Sequence, residues 1–266
     1  MTTEASSTRL NYTTYLRLPE LLGLQSARST PEHPDELHFI ATHQAIELCF
    51  KVLAADVRRA RDLIDADQLA EAVVVVRRAR VLVGATVAQL ATLELMPPEA
   101  FHRFRQYLGT ASGLESVQFR ELEILSGVRT AEYQSRLSGI HGGQLPASLV
   151  TALAEPSLAD AHLAAGVRYG VKDWADFYTD AGRDPMLEVL TSALLDYDDA
   201  WRHWRSEHVA LVLRMLGDAV MGTAGTDSGY LTRRVYLRFF PHLWAARSEY
   251  AVRVGGRSSP ADPHEA

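Results

Sequence analysis

The chain has 266 residues, of which 47% are hydrophobic and 23% are charged, and its formal net charge is −6. This composition is typical of a globular protein with a large core, and the acidic balance argues against nucleic acid as a main partner, because phosphate binding needs a basic face. No apolar run approaches the roughly 18 residues of a membrane span, and the N-terminal residues do not resemble a signal peptide.

Helical patterns dominate the chain, and alternating strand patterns are nearly absent. We predict a helix from about Asp35 to Asp65, because Pro34 breaks a helix and Asp35 can cap one. A second helix is predicted from about Ala66 to Leu95, where Met96-Pro97-Pro98 ends it, and Pro98 can open the next. Further helices are predicted over 101–108, 114–125, 147–154, 157–166, 185–216 and 230–250.

No internal repeat or linker divides the chain. The patterns therefore predict one all-α domain, a helical bundle with long core helices, over residues 1–251. The remaining segment, 252–266, is polar and rich in proline and glycine, so we expect a disordered tail. The single cysteine, Cys49, excludes an internal disulfide and favours a reducing, cytoplasmic location.

Two histidines, His43 and His208, each belong to an apolar stripe of a predicted helix. The first stripe contains Phe39, His43, Ile46 and Phe50, and the second contains Trp201, Trp204, His208, Leu211 and Met215. Two imidazoles that face inward from separate helices can bind both sides of a flat prosthetic group, one as a metal ligand. His203 is a weaker candidate, because it falls on another face of its helix.

Structural roles explain the same residues without any cofactor. His43 can be a core histidine that bonds a backbone carbonyl or pairs with Glu47 on the next turn. A zinc or non-haem iron site would need ligands from distant segments. Arg105, on a largely apolar helix, suits either a structural salt bridge or a substrate carboxylate. Arg120 has an intrahelical partner in Glu123.

Four segments resemble the tryptophan 2,3-dioxygenase family, in the family's order. FIATHQAIELCFK (39–51) is similar to its F-x-x-x-H-Q-x-x-E-L-W-F-K helix, and FRQYLGTASGLESVQFRELE (104–123) to its F-R-x-x-L-x-x-A-S-G-F-Q-S-x-Q-F-R-x-x-E motif. YTTYLRLPELLGLQ (12–25) resembles the N-terminal Y-x-x-Y-L-x-L-x-x-L-L motif, and DYDDAWRHWRSEHVALVLRMLG (196–217) resembles the helix of the proximal histidine.

The resemblance implies an all-helical enzyme, usually a homotetramer, with one haem b per subunit in a pocket between the helices. It would insert O2 across the indole C2–C3 bond of L-tryptophan or a derivative. Carried over by position, His208 becomes the axial iron ligand and His43 the distal residue that faces the indole N–H. The other implied roles are indole contacts for Phe39 and Phe101, carboxylate binding for Arg105, haem contacts for Ser112 and Trp204, substrate contact for Thr223, and contributions to a neighbouring subunit's site for Tyr12 and Tyr15.

Departures from the family pattern keep other functions open. Cys49 stands where the family usually has tryptophan, Leu114-Glu115 replaces Phe-Gln, and the loop 222–229 appears one residue longer, so Thr223 and Thr226 compete for one role. A haem monooxygenase of the same superfamily, acting on tryptophan or a substituted tryptophan, is the first alternative. A non-catalytic haem sensor and a helical interaction domain without a cofactor are the others.

Overall fold

The computed structural model describes residues 10–109, 111–217 and 228–255. These ranges are helical and contain no strand, which confirms the all-α prediction. The helices are α1 (Tyr12–Leu16), α2 (Leu18–Leu21), α3 (Pro34–Asp65), α4 (Leu69–Leu93), α5 (Pro98–Arg105), α6 (Val117–Ser126), α7 (Ala131–Ile140), α8 (Ala147–Ala154), α9 (Leu158–Arg168), α10 (Trp174–Phe177), α11 (Pro185–Leu216), α12 (Ser228–Val235) and α13 (Pro241–Gly255). Two 3₁₀ turns, Gln106–Leu108 and Gly113–Glu115, lie between α5 and α6. None of the helices in the described ranges is long and apolar enough to cross a membrane.

Three long helices, α3, α4 and α11, form the centre of the bundle. α4 packs along both α3 and α11, while α6 and α9 pack against α3. Of the stripe predicted on α3, Ile46 and Phe50 are almost fully enclosed, whereas Phe39 and His43, nearer the start of the helix, keep accessible surface. Trp201, on α11, has no exposed surface. Burial of these apolar stripes is the main force that holds long helices side by side.

The start of α3 differs from the prediction by one residue. Pro34 is the first helical residue rather than a breaker, and His33 is the N-cap, with its Nδ1 accepting the N–H of Asp35 at 3.2 Å. Proline suits this position because the first residues of a helix have no intrahelical acceptor for their N–H groups. The predicted helices around 66–95 and 185–216 are present, with bounds Leu69–Leu93 and Pro185–Leu216.

The prediction of one last helix over 230–250 was wrong. α12 and α13 are separated at 236–240, where the carboxylate of Asp198 accepts the backbone N–H groups of Phe239 and Phe240. Because these N–H groups bond a side chain on α11, they are not available for an α-helical ladder. α13 then begins at Pro241 and continues to Gly255, beyond the predicted domain boundary at 251.

Candidate active site

A cavity with mainly apolar walls lies between α3, α5, α6 and α11. The centres of water-sized molecules can occupy about 270 Å³ of the cavity. Because every molecule extends beyond its centre, the space for a whole ligand is larger than this volume. The sequence-predicted residues Phe39, His43, Phe101, Arg105, Ser112, Trp204 and His208 all line it. Apolar side chains of α3 and α11, of the C-terminal end of α4 and of the segment that follows α4 complete the walls, among them Ile46, Phe50, Leu90, Leu93, Met96, Leu211 and Met215.

His43 presents one ring nitrogen as an acceptor. Its Nδ1 lies 2.7 Å from the backbone oxygen of Phe39, one turn earlier on α3. A carbonyl oxygen only accepts, so Nδ1 carries the proton and Nε2 keeps its lone pair when the ring is neutral. Burial lowers the pKa of His43, and the bond to Phe39 and the charge of Glu47 act in the opposite direction. The pairing of His43 with Glu47, considered from the sequence, is replaced by this backbone contact.

His208, on α11, lines the same cavity as a neutral imidazole. Burial, with smaller effects from His43 and Arg120, lowers the pKa of His208 to about 4. The ring stacks on Trp204, one turn earlier on α11, with 5.3 Å between centroids and an interplanar angle of 4°. The neutral ring is the form of histidine that ligates a metal, and the stacking restricts its rotation.

Aromatic side chains form a separate group beside each histidine. On the His43 side, Phe39 lies 5.7 Å from Phe101 and 5.4 Å from Phe104, measured between ring centroids. On the other side, Phe119 lies 5.0 Å from Trp204, and Phe50, Trp201 and Trp204 contact one another. The space between the groups therefore has a hydrophobic wall on each face, which suits a planar apolar ligand.

Other predicted site residues have different placements. Arg105 is the last residue of α5, and Ser112 caps the 3₁₀ turn that follows. Tyr12 and Tyr15 lie on α1 with relative exposures of 74% and 71%, and they do not belong to the walls of this cavity. Thr223 and its competitor Thr226 lie outside the described residues. His203 is exposed on α11 and pairs with Glu207 at 3.6 Å, as its helix face predicted.

A buried cluster of charges at the cavity wall was missed by the sequence analysis. The predicted pair of Arg120 and Glu123 is present at 2.6 Å, but Glu123 also bonds Arg234 at 2.6 Å and lies 3.6 Å from Arg205. Burial raises the pKa of Glu123, and the arginines outweigh burial and lower it to about 2. Tyr133 donates its hydroxyl to the same carboxylate at 2.6 Å.

The cluster carries more positive than negative charge. One carboxylate faces Arg120, Arg205 and Arg234, and all four side chains line the cavity. Within the described residues, Nε and Nη2 of Arg205 are buried without a hydrogen-bond acceptor. Buried guanidinium groups are ordinarily matched by carboxylates, so this wall is suited to an anionic group. One sequence feature could have indicated that Arg205 belongs to the site: it precedes His208 by three residues and therefore shares a helix face with it.

Comparisons with known proteins identify the family of this chain. The family model of tryptophan 2,3-dioxygenase matches residues 2–173. A tryptophan 2,3-dioxygenase from Nocardioides sp. is 39% identical over 91% of this chain and 95% of its own length. Proteins of the same name from Herpetosiphon aurantiacus and Xanthomonas euvesicatoria are 33% and 32% identical, over 91% and 97% of this chain and 99% and 93% of their own lengths. The chain belongs to the tryptophan 2,3-dioxygenase family.

Proposed function

We propose that this chain is a haem-dependent L-tryptophan 2,3-dioxygenase that converts L-tryptophan and O2 into N-formyl-kynurenine. The observation that carries the proposal is the placement of two imidazoles, His43 on α3 and His208 on α11, in the lining of one mainly apolar cavity, where burial lowers the pKa of both. Both atoms of O2 enter the product, so the net reaction consumes no reductant. The single cysteine supports a cytoplasmic location.

The donor set of the cavity fits a haem b group. His208 would be the axial ligand, with its ring held by Trp204, and Ser112 would lie near the edge of the porphyrin. The propionate groups would be matched by the excess positive charge around Arg205, whose Nε and Nη2 otherwise have no acceptor in the described residues. When bound, the haem iron would supply O2 binding and activation, which protein side chains alone do not provide.

The wall around His43 would position the indole ring. The unprotonated Nε2 of His43 can accept the indole N–H, while Phe39 and Phe101 supply apolar contacts to the ring. Indole carbon atoms C2 and C3 are electron-rich, so no strong base is required, and a histidine of low pKa suffices as an orienting acceptor. Arg105 would bind the substrate carboxylate and fix the ring over the reactive face.

The proposal includes a homotetramer in which Tyr12 and Tyr15 contribute to a neighbouring subunit's site. The two tyrosines lie on the exposed face of α1, away from the cavity of their own chain, which supports a role between subunits. Thr223, which lies outside the described residues, is proposed to contact the substrate on the strength of the family resemblance alone.

A haem monooxygenase is the second candidate. It is favoured by the departures from the family pattern at Cys49 and at Leu114, of which Leu114 lines the cavity. Such an enzyme would place one oxygen atom on tryptophan or a substituted tryptophan, and it would require two electrons from a reductant to reduce the second atom to water.

Turnover under ¹⁸O2 separates these functions. The purified protein is incubated with haem, L-tryptophan and enough ascorbate to reach the ferrous state, and the product is analysed by mass spectrometry. We expect both atoms of the labelled gas in N-formyl-kynurenine. A product with one labelled oxygen atom would reject the dioxygenase and support the monooxygenase. A Soret band without any product would indicate a sensor, and the absence of a Soret band would reject the haem site.

A further inference from the structure

One carboxylate beside the cavity has no role in the chemistry proposed above. Glu47 lies one helical turn after His43 on α3 and faces the start of α6. Its Oε1 accepts the hydroxyl of Ser116 at 2.6 Å, and its Oε2 accepts the amide of Gln118 at 2.8 Å. The same amide nitrogen also donates to the backbone oxygen of Glu47 at 3.1 Å. These contacts connect α3, which carries His43, to the N-terminal end of α6.

The residues that Glu47 holds form a wall of the cavity. Ser112, Leu114 and Ser116 line it, and they belong to the turn 112–116 that precedes α6. Ser116 is also the N-cap of α6, where its hydroxyl oxygen accepts the N–H of Phe119 at 3.2 Å. Because the hydroxyl of Ser116 donates its hydrogen bond to the carboxylate of Glu47, a lone pair of the hydroxyl oxygen is directed toward that N–H.

The same contacts extend to His208. Phe119, capped by Ser116, lies 5.0 Å from Trp204, and Trp204 stacks on His208. A shift at the start of α6 would therefore move the aromatic ring that supports His208, because protein interiors are closely packed. The capped turn also depends on Arg120, which donates from Nε to the backbone oxygen of Leu114 at 3.3 Å.

We propose that Glu47 is a positioning residue, whose carboxylate fixes the turn 112–116 and the start of α6 relative to His43. The proposal rests on the proposed function for the identity of the ligand, haem, which would contact this turn. Glu47 acts on the cavity wall through Ser116 and Gln118.

Two substitutions that weaken these contacts from either side test the proposal. In E47Q the side chain has one acceptor oxygen where the carboxylate has two, so it no longer accepts from both Ser116 and Gln118, and in Q118M the donor of Gln118 is removed. We expect each variant to raise the haem dissociation constant about 10-fold, because the turn that lines the cavity is held less firmly. Both variants remove hydrogen bonds of the same network, and Q118M also removes the bond to the backbone oxygen of Glu47, so the effect of the double variant E47Q/Q118M should be smaller than the sum of the two single effects.

A second measurement does not depend on haem. Amide hydrogen exchange of the full chain as purified should be at least about 10-fold faster over residues 111–119 in E47Q and Q118M, with no change over α4. E71Q, the same chemical change at an exposed carboxylate on α4, is the matched control and should behave like the wild type in both measurements.

The outcomes separate this proposal from that of the haem enzyme. Additive effects of E47Q and Q118M on haem binding, or exchange that rises equally over 111–119 and α4, would reduce Glu47 to a general stabilising residue and overturn the proposal. Unchanged exchange over 111–119 would overturn it as well. If the wild type binds no haem, the proposed function fails, and the exchange measurement alone decides the role of Glu47.

Discussion

Two pairs of histidines lie inside the same helical bundle, and their surroundings differ. His43 on α3 and His208 on α11 both line the cavity. His162 and His242, on α9 and α13, are in direct contact, with 3.2 Å between Nδ1 of the first and Nε2 of the second. Burial lowers the pKa of all four side chains, so a low pKa alone does not distinguish a reactive site from a packed one.

The difference lies in how the ring nitrogens are used. Thr191 donates its hydroxyl to Leu187 O at 2.7 Å, so it accepts from Nε2 of His162 at 3.0 Å. Nδ1 of His162 is then the acceptor for His242, and both nitrogens of the buried ring are satisfied by protein groups. His43 uses only Nδ1 in a hydrogen bond within its own helix, and Nε2 remains available to a ligand. A histidine pair is therefore a candidate for a reactive site when its rings line a cavity and a ring nitrogen is not used in a hydrogen bond within the protein.

The largest effect is expected from removal of the proposed axial ligand. His208→Ala should lower haem affinity by more than about 100-fold, since changes at residues that only support a metal ligand already cost 10- to 100-fold. Haem titration followed by the Soret band measures the loss, and added imidazole should restore part of the binding by entering the vacated space. His203→Ala, on the exposed face of the same helix, is the control. Normal haem content in His208→Ala would remove the proposed difference between the two histidine pairs.

The next largest effect is expected across the cavity. His43→Ala should keep the haem but lower kcat/KM for tryptophan about 10- to 100-fold, because a hydrogen bond from the indole N–H to Nε2 is lost. Replacing the substrate by 1-methyltryptophan, which lacks that N–H, should impair the wild type and have little further effect on the variant. If the variant still preferred tryptophan by the wild-type factor, His43 would not be the acceptor of the indole N–H.

Much of the site could be predicted because periodicity places residues on one helix face. Phe39, His43 and Ile46 recur at helical spacing, and the structure finds all of them on the cavity wall. The same reasoning placed Trp204 and His208 together, and their rings are stacked. Helix geometry is local, so these relations follow from the sequence itself.

Contacts between distant segments could not be predicted in this way. The pairing of His162 with His242 and the meeting of Arg205 and Arg234 at Glu123 join residues that no local pattern connects. The break between α12 and α13 has the same origin, because it depends on a carboxylate of α11 that accepts N–H groups near residue 240. Tertiary contacts override local helical preference at such points.

The smallest effect concerns the packed pair and appears in the pH dependence of stability. His162 has no exposed surface, and burial, with a smaller effect of His242, lowers the pKa of His162 from 6.5 to about 3. Below about pH 6.5 the unfolded chain takes up a proton at this residue while the folded chain does not, so stability falls as the pH falls. Between about pH 7 and about pH 5 the loss due to His162 is about 2 kcal/mol.

His162→Gln tests this value, because glutamine retains a donor for Thr191 but does not titrate. The free energy of unfolding, measured with urea on haem-loaded protein, should be lower than that of the wild type at about pH 7 but should fall by about 2 kcal/mol less on going to about pH 5. His203→Gln, at an exposed position on α11, should keep the wild-type pH dependence. Equal pH dependence of the free energy of unfolding in wild type and His162→Gln would mean that the folded chain accommodates a protonated His162. The contact between His162 and His242 would then not exclude protonation, contrary to the prediction.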